Sequence, residues 1–271
     1  MKKSRIISAI ICLLTTANVY AQTDTAFEFI KSIKGKFSSF SVDNLDNIYL
    51  INSSNQLKKL NANGDSAGIF NDVKRYGNPS SIDVANPLKI LLYYKNYSTV
   101  IVLDRFLNQR NIINVRKQNV FSVKAIATSY DNNIWLFDEQ NFTLKKIDET
   151  GKAMQETVDM RLLINEAPTP EKIIDHNNFI YLYDAENGFY IFDYYGAYKN
   201  KLSFTGWSNV AASNNTLYGF KNGKLESYQI NSLTLKEYTL PALFGKYSAI
   251  KAMNGKVYLL KKDGIDIYKV K

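Results

Sequence analysis

The side chains that could carry out catalysis are few in this chain of 271 residues. His176 is the single histidine, and the single cysteine, Cys12, lies close to the N-terminus. A two-histidine metal site is therefore impossible, and a structural zinc site has no thiolates to hold the ion. Serine and aspartate are common, yet no Gly-x-Ser-x-Gly nucleophile motif occurs. We expect no catalytic residue, no metal site and no cofactor, and we predict that the protein is not an enzyme.

A set of aspartates recurs at equivalent positions along the chain. The members are Asp43, Asp46, Asp131, Asp138, Asp175 and Asp184. Two carboxylates about 5 to 10 Å apart could serve glycoside chemistry, and several could bind calcium. Asp and Asn also hydrogen-bond their own turn backbone and tolerate left-handed geometry. We favour the turn interpretation for these aspartates and for His176, which lies in the polar stretch 175–178.

The elements that must position these residues are short repeated strands. The clearest copy is the segment 131–138, in which a polar turn leads into Ile134-Trp135-Leu136-Phe137. The central residues of six such copies are Tyr49, Leu91, Trp135, Tyr181, Tyr218 and Tyr258. They follow one another at steps of 42, 44, 46, 37 and 40 residues. This is the period of a four-stranded propeller blade.

Each repeat supplies the pieces of one blade. A second apolar strand follows every central strand, and a strand rich in small and β-branched residues precedes it, as Val210-Ala211-Ala212 does. The sixth repeat lacks a fourth strand, because the chain ends at Lys271. The alternating segment 27–33 can supply that strand and close the ring. The sequence therefore predicts an all-β, six-bladed propeller that forms a single domain over residues 22–271.

The first 21 residues resemble an export signal. Lys2, Lys3 and Arg5 precede an apolar run from Ile6 to Leu14, and small residues follow near position 21. The run is too short to span a bilayer, which needs about 20 residues. We expect cleavage after residue 21, no transmembrane span, and a periplasmic or outer-membrane-associated protein without disulfides.

The strands of the type Asp-Asn-Ile-Trp-Leu resemble those of six-bladed propellers of the broad NHL and TolB-like kind. The resemblance covers Phe27 to Lys271. The Trp-Asp signature of WD40 blades, the double glycine of kelch repeats and the Asp-box of sialidases are absent. The resemblance implies the architecture only.

The connections that join one blade to the next are unusually basic. They carry ten Lys or Arg against three Asp or Glu, whereas the whole chain has a net charge of +9. Aromatic residues lie in or beside the same connections. These aromatic residues include Phe121 and Tyr247. We predict one basic, aromatic surface that binds an acidic partner, formed by Lys34, Lys36, Lys74, Arg75, Tyr76, Arg116, Lys117, Trp207, Phe244 and Lys246.

Protein interaction is the favoured function. A short exported propeller rich in Tyr, Asn and Lys also resembles the periplasmic plug subunit of the type nine secretion translocon. That resemblance implies docking on an outer-membrane β-barrel, and an exported protein has little contact with nucleic acid. Two alternatives stay open. One is a lectin or periplasmic sensor that stacks sugars on Trp207 or Tyr76. The other is a divergent hydrolase or lyase, which requires ionisable groups with shifted pKa values in the axial channel.

Overall fold

The computed structural model describes residues 26–271, and these fold into six four-stranded antiparallel sheets. The predicted six-bladed propeller is confirmed. Blade 1 consists of β2 (Phe37–Val42), β3 (Ile48–Asn52), β4 (Leu57–Leu60) and β5 (Ser66–Phe70). Blade 2 consists of β6 (Ser81–Asn86), β7 (Lys89–Tyr94), β8 (Thr99–Asp104) and β9 (Gln109–Asn114). Blade 3 consists of β10 (Val123–Thr128), β11 (Ile134–Asp138), β12 (Thr143–Ile147) and β13 (Ala153–Glu156).

Blades 4 to 6 continue in the same order around the ring. Blade 4 consists of β14 (Lys172–His176), β15 (Phe179–Asp184), β16 (Gly188–Asp193) and β17 (Tyr198–Leu202). Blade 5 consists of β18 (Ser208–Ser213), β19 (Thr216–Lys221), β20 (Lys224–Gln229) and β21 (Thr234–Thr239). Blade 6 consists of β22 (Ala249–Met253), β23 (Lys256–Lys261), β24 (Gly264–Val270) and the N-terminal strand β1 (Phe27–Lys34). Two short helices, α1 (Val73–Tyr76) and α2 (Met160–Ile164), lie in connections between blades.

The N-terminal strand closes the ring, as the sequence predicts. β1 pairs antiparallel with β24, from Phe27 opposite Val270 to Lys34 opposite Gly264. The first strand of each blade also contacts the first strands of both neighbouring blades. The two ends of the described chain are therefore held in one sheet, and these six first strands surround the propeller axis.

Polar turns of one kind end the third strands of the first four blades. The residues at these turns are Asn61, Asp104, Asp148 and Asp193. In each turn the side-chain oxygen accepts hydrogen bonds from the backbone N–H groups two and four residues further on. Each turn thus satisfies backbone donors that no strand pairs.

The turn interpretation of the recurrent aspartates is confirmed for Asp43, Asp131, Asp138 and Asp184, which accept from backbone N–H groups of their own turns. Asp46 has the left-handed turn geometry, with φ of 61°, and its side chain also accepts hydrogen bonds from blade 6. Asp175 lies in β14, and three of its four donors belong to blade 3. Asp46 accepts from the Tyr258 hydroxyl at 2.9 Å, and Asp175 accepts from the Trp135 indole at 3.0 Å.

The core lies between the blades. The central residues of the six repeats are all buried, including Tyr49, Trp135 and Tyr258. Their aromatic rings pack against the face of an adjacent sheet, so every blade depends on its neighbours for its buried surface.

Two sequence predictions concern membranes. The export signal over residues 1–21 lies outside the described residues and stays a prediction. Within residues 26–271, none of the helices has the length and apolar character that crossing a bilayer requires.

A substitution at Gly264 tests the closure of the ring by β1 and β24 directly. A Cβ atom at this position would lie 2.1 Å from the carbonyl oxygen of Ile33, in the strand that closes the ring. We expect Gly264→Ala to lower the free energy of unfolding by about 1 to 3 kcal/mol and the melting temperature by several degrees, because the β1–β24 pair must separate to accept the methyl group.

Gly245→Ala is the matched control, since a Cβ atom there would have no atom within 4 Å. Its free energy of unfolding should stay within about 0.5 kcal/mol of the unsubstituted protein. Equal melting temperatures for the two variants would contradict the importance of close packing at this closure.

Candidate functional site

The loops of the propeller open on two opposite faces. In a four-stranded antiparallel blade, the connection from the outermost strand to the next blade leaves from the same end as the loop between the second and third strands. We call this end the loop face. Its connections span residues 35–36, 71–80, 115–122, 157–171, 203–207 and 240–248.

Seven basic residues occupy four consecutive connections of the loop face. We call them the basic arc, and they are Lys246, Lys34, Lys36, Lys74, Arg75, Arg116 and Lys117. All seven are exposed. Among the described residues none of them forms an ion pair, although eleven other Lys and Arg residues do. The arc is thus a band of exposed positive charge without ion pairs among the described residues.

The next connection around the ring, residues 157–171, differs in charge and shape. It carries Asp159, Glu166 and Glu171, and its one arginine, Arg161, is paired with Asp159. The same connection exposes apolar side chains. Val158, Leu162 and Leu163, which we call the apolar knob, lie in and beside α2, and Leu162 is 85% exposed. The loop face therefore has a basic side that adjoins an apolar projection.

The predicted exposure of the aromatic residues on the binding surface is wrong for three of them. Tyr76, Trp207 and Phe244 are buried between blades instead of facing solvent. Trp207 is 2% exposed, and its ring stacks on Phe204 at 4.8 Å between centroids. Packing of this kind leaves no ring face free, so Trp207 and Tyr76 cannot stack a sugar as the lectin alternative requires.

These aromatic residues have a structural role that recurs around the ring. Tyr76 packs against Tyr94, Phe244 packs against Phe27, and Trp207 lies over Gly219, where a Cβ atom would be 2.3 Å from the indole ring. Each connection thus inserts an apolar side chain into the core between two blades. Of the other predicted aromatic residues, Phe121 is exposed and Tyr247 is half-buried.

The apolar knob was missed in the sequence analysis, although a signal for it exists. Leu162 and Leu163 are adjacent in a short helix, so they cannot both face the core below Met160. Met160 is buried, whereas the two leucines are exposed. An apolar pair in the longest connection was the available indication.

A cavity of about 410 Å³ runs along the propeller axis. It is lined by the first strands of five blades, from Lys172 and Asn209 near the loop face to Asn214 and Asn254 at the opposite face. We call this cavity the axial channel. Apolar residues such as Val84 and Val210 alternate there with the ionisable groups Asp83, Lys172, Asp175, His176 and Lys251.

The two lysines of the axial channel have different surroundings. The Lys172 ammonium lies 3.7 Å from a carboxylate oxygen of Asp83. The Lys251 ammonium lies 5.9 Å from the ring centroid of Phe40 and, among the described residues, has no carboxylate partner. Burial, and then repulsion from Lys172, lowers the pKa of Lys251 to about 8. Lys251 is therefore a half-buried cation of the channel surface without an ion-pair partner among the described residues.

Asp175 and His176 show the other shifts in the channel. Burial raises the pKa of Asp175, although Ser129, Tyr130, Trp135 and Tyr194 all donate hydrogen bonds to its carboxylate. Burial also lowers the pKa of His176, which ends β14 and is not a turn residue as the sequence suggested. Its Nε2 atom is buried without a hydrogen-bond partner among the described residues.

A metal site has no basis in this geometry. Across residues 26–271, no three side chains from His, Cys, Asp and Glu come together in a group that could hold a metal ion. The ionisable groups of the axial channel are instead a mixture of cations and carboxylates.

The comparisons with known proteins show similarity of fold only. No protein family model matches the sequence, and no curated protein matches it. The structure is similar to a streptogramin B lyase at 18% identity, with 86% of this chain and 78% of that chain covered and a TM-score of 0.58. It is also similar to a catalytically inactive virginiamycin B lyase from Staphylococcus aureus with quinupristin, at 12% identity, 90% and 89% coverage, and a TM-score of 0.59.

A further similar structure is the WD40 domain of Neurospora crassa Pan2, at 9% identity, 90% and 95% coverage, and a TM-score of 0.61. These identities show a shared fold and no more. The chain is a six-bladed β-propeller, a fold consistent with protein interaction. The finer resemblance to a secretion plug subunit receives no support from these comparisons.

The prediction that the protein is not an enzyme is overturned. It was based on a sequence with few catalytic residues, yet the structurally similar proteins include a lyase. The fold is therefore one that enzymes use, and by itself it establishes no catalysis here. The axial channel also contains the ionisable groups with shifted pKa values that the sequence analysis set as the requirement for a catalytic alternative.

Lys251 should destabilise the native state at neutral pH. We expect Lys251→Met to raise the free energy of unfolding at pH 7 by about 1 to 3 kcal/mol, because a half-buried ammonium with a lowered pKa and no ion-pair partner is replaced by an apolar side chain of similar length. Thermal unfolding of both proteins measures the difference, and Lys152→Met, at an exposed position on the opposite face, should change the melting temperature little.

The lowered pKa of Lys251 determines how the free energy of unfolding changes with pH. The native pKa of Lys251, about 8, lies below the ordinary value of 10.5. The unfolded chain therefore binds more protons between these values, and the stability of the unsubstituted protein rises with pH across this window. The advantage of Lys251→Met should shrink as the pH approaches 10.5. An advantage that is constant from pH 7 to that value would contradict the assignment.

Proposed function

We propose that the protein is an interaction module that binds a partner protein through its loop face. The observation that carries the proposal is the basic arc, in which seven exposed cations lie on consecutive connections without an ion pair among the described residues. Eleven other Lys and Arg residues of the described chain form ion pairs, as Lys256 does with Asp46 at 2.6 Å. Unmatched charge of one sign favours encounter with a surface of the opposite sign.

The apolar knob supplies the second part of the interface. Val158 is 62% exposed and Leu162 is 85% exposed, on the longest connection of the loop face. Exposed apolar groups beside a charged rim are typical of protein interfaces, because their burial provides the free energy of binding and the rim directs the approach. The partner we propose has an acidic surface next to an apolar recess.

An outer-membrane β-barrel is the partner class to test first. The proposal draws on the export signal predicted for residues 1–21 and on the sequence resemblance to a translocon plug subunit. A periplasmic or outer-membrane-associated location is part of the same proposal. Docking on, or plugging, a secretion channel would use the loop face as the contact surface.

Charge reversal on the basic arc should abolish partner recovery. We expect the variant Arg75→Glu with Arg116→Glu and Lys117→Glu to lose, by at least tenfold, proteins that the unsubstituted protein retains in affinity purification from detergent-solubilised membranes. The reason is that attraction to an acidic surface becomes repulsion. Recovery of the same proteins should also weaken as salt is raised, because added ions screen exposed charges.

The matched control reverses two exposed charges on the opposite face, Arg105→Glu and Lys152→Glu. This variant should recover the partner as the unsubstituted protein does. Equal loss in both variants, or recovery of the propeller alone from all samples, would contradict docking through the loop face.

A further inference from the structure

The axial channel contains a cation that the protein itself does not neutralise. Apart from the contact of Lys251 with the ring of Phe40, no carboxylate or hydrogen-bond acceptor of the described residues lies against its ammonium. Lys251 lies in β22, is half-buried and lines the cavity. An ammonium that lines a cavity without a counter-charge can pair with an anionic ligand.

The carboxylates of the channel are already engaged. Asp83 accepts from the backbone N–H of Thr128 at 2.8 Å and pairs with Lys172 at 3.7 Å. Asp175 accepts from four donors of the blade 3 and blade 4 elements around it, including the Trp135 indole. Neither forms an ion pair with Lys251, so the negative charge that would balance this lysine is absent from the chain described.

The remaining channel surface suits a small molecule with an apolar body. The cavity of about 410 Å³ falls within the range of small-ligand sites, which is about 300 to 1,000 Å³. Ile82, Ile174 and Val210, which are half-buried, supply apolar surface to the channel. With Lys172 paired to Asp83, the single uncompensated cation fits one negative charge.

We propose that the axial channel binds a small organic monocarboxylate, with its carboxylate at the Lys251 ammonium and its apolar part against the first strands of the neighbouring blades. The site is separate from the connections of the loop face, because it is lined by the inner strands and by Asn44, Asn214 and Asn254, which follow these strands at the opposite face. It gives the propeller a ligand-binding function in addition to any partner.

Calorimetric titration of residues 22–271 with sodium butyrate and sodium hexanoate tests the proposal. We expect saturable binding at millimolar concentration or tighter, and at least tenfold weaker binding of butyramide, which has the same shape without the charge. Lys251→Met should lower the affinity for the carboxylates at least tenfold, whereas Lys152→Met should leave it unchanged. Inorganic phosphate should bind no better than chloride.

Equal binding of butyrate and butyramide, preference for phosphate, or full affinity in Lys251→Met would overturn the proposal. A second measurement on the unsubstituted protein covers the case in which the variant fails to fold. Reductive methylation with formaldehyde, followed by peptide mass mapping, should modify Lys251 in the free protein and do so several times more slowly with butyrate present. No protection of Lys251 at saturating butyrate would also overturn the proposal.

Discussion

The pairing of β1 with β24 is the interaction on which the rest of the structure depends. Residues 27–34 come from the start of the described chain, yet they complete the sheet that contains the chain's end. Without this pair, blade 6 would have three strands, and the two ends of the described chain would not be held in one sheet. Both candidate sites follow from the closed ring, because it orders the connections into one face and encloses a channel at the axis.

Much of this architecture could be predicted from local residue patterns. The alternation around Trp135 and its copies predicts half-buried strands, and aspartates such as Asp43 and Asp184 form the turns that the pattern indicates. These signals are local, since a turn side chain and its backbone partners lie within a few residues of one another. The missing strand of the last blade could also be predicted, because the period left segment 27–33 without another role.

The side chains of the connections could be predicted only in part. The exposed charges of the basic arc agree with a general preference, because a lone charged residue in a loop seldom lies in a core. Aromatic residues have no such constraint. The burial of Trp207 depends on the absence of a side chain at Gly219, twelve residues further on in β19, and this juxtaposition is defined by the register of β18 with β19. The burial of Tyr76 and Phe244 likewise depends on rings in other segments.

The axial channel could not be predicted, because its residues meet only when the ring closes. Lys172 and Lys251 belong to different blades, and nothing in either strand indicates that one is paired with Asp83 and the other has no carboxylate. Their difference comes from the arrangement of the first strands around the axis. This is also why a sequence with few catalytic residues was a poor basis for excluding an enzyme.

Docking through the loop face is the central functional claim, and photo-crosslinking tests it most directly. A photoreactive amino acid would replace Leu162 in the apolar knob or, separately, Phe106, which is exposed on the opposite face. After irradiation of native membranes, the account predicts a discrete crosslinked protein from position 162 and none from position 106. Crosslinking from position 106 alone, or the same product from both positions, would contradict it.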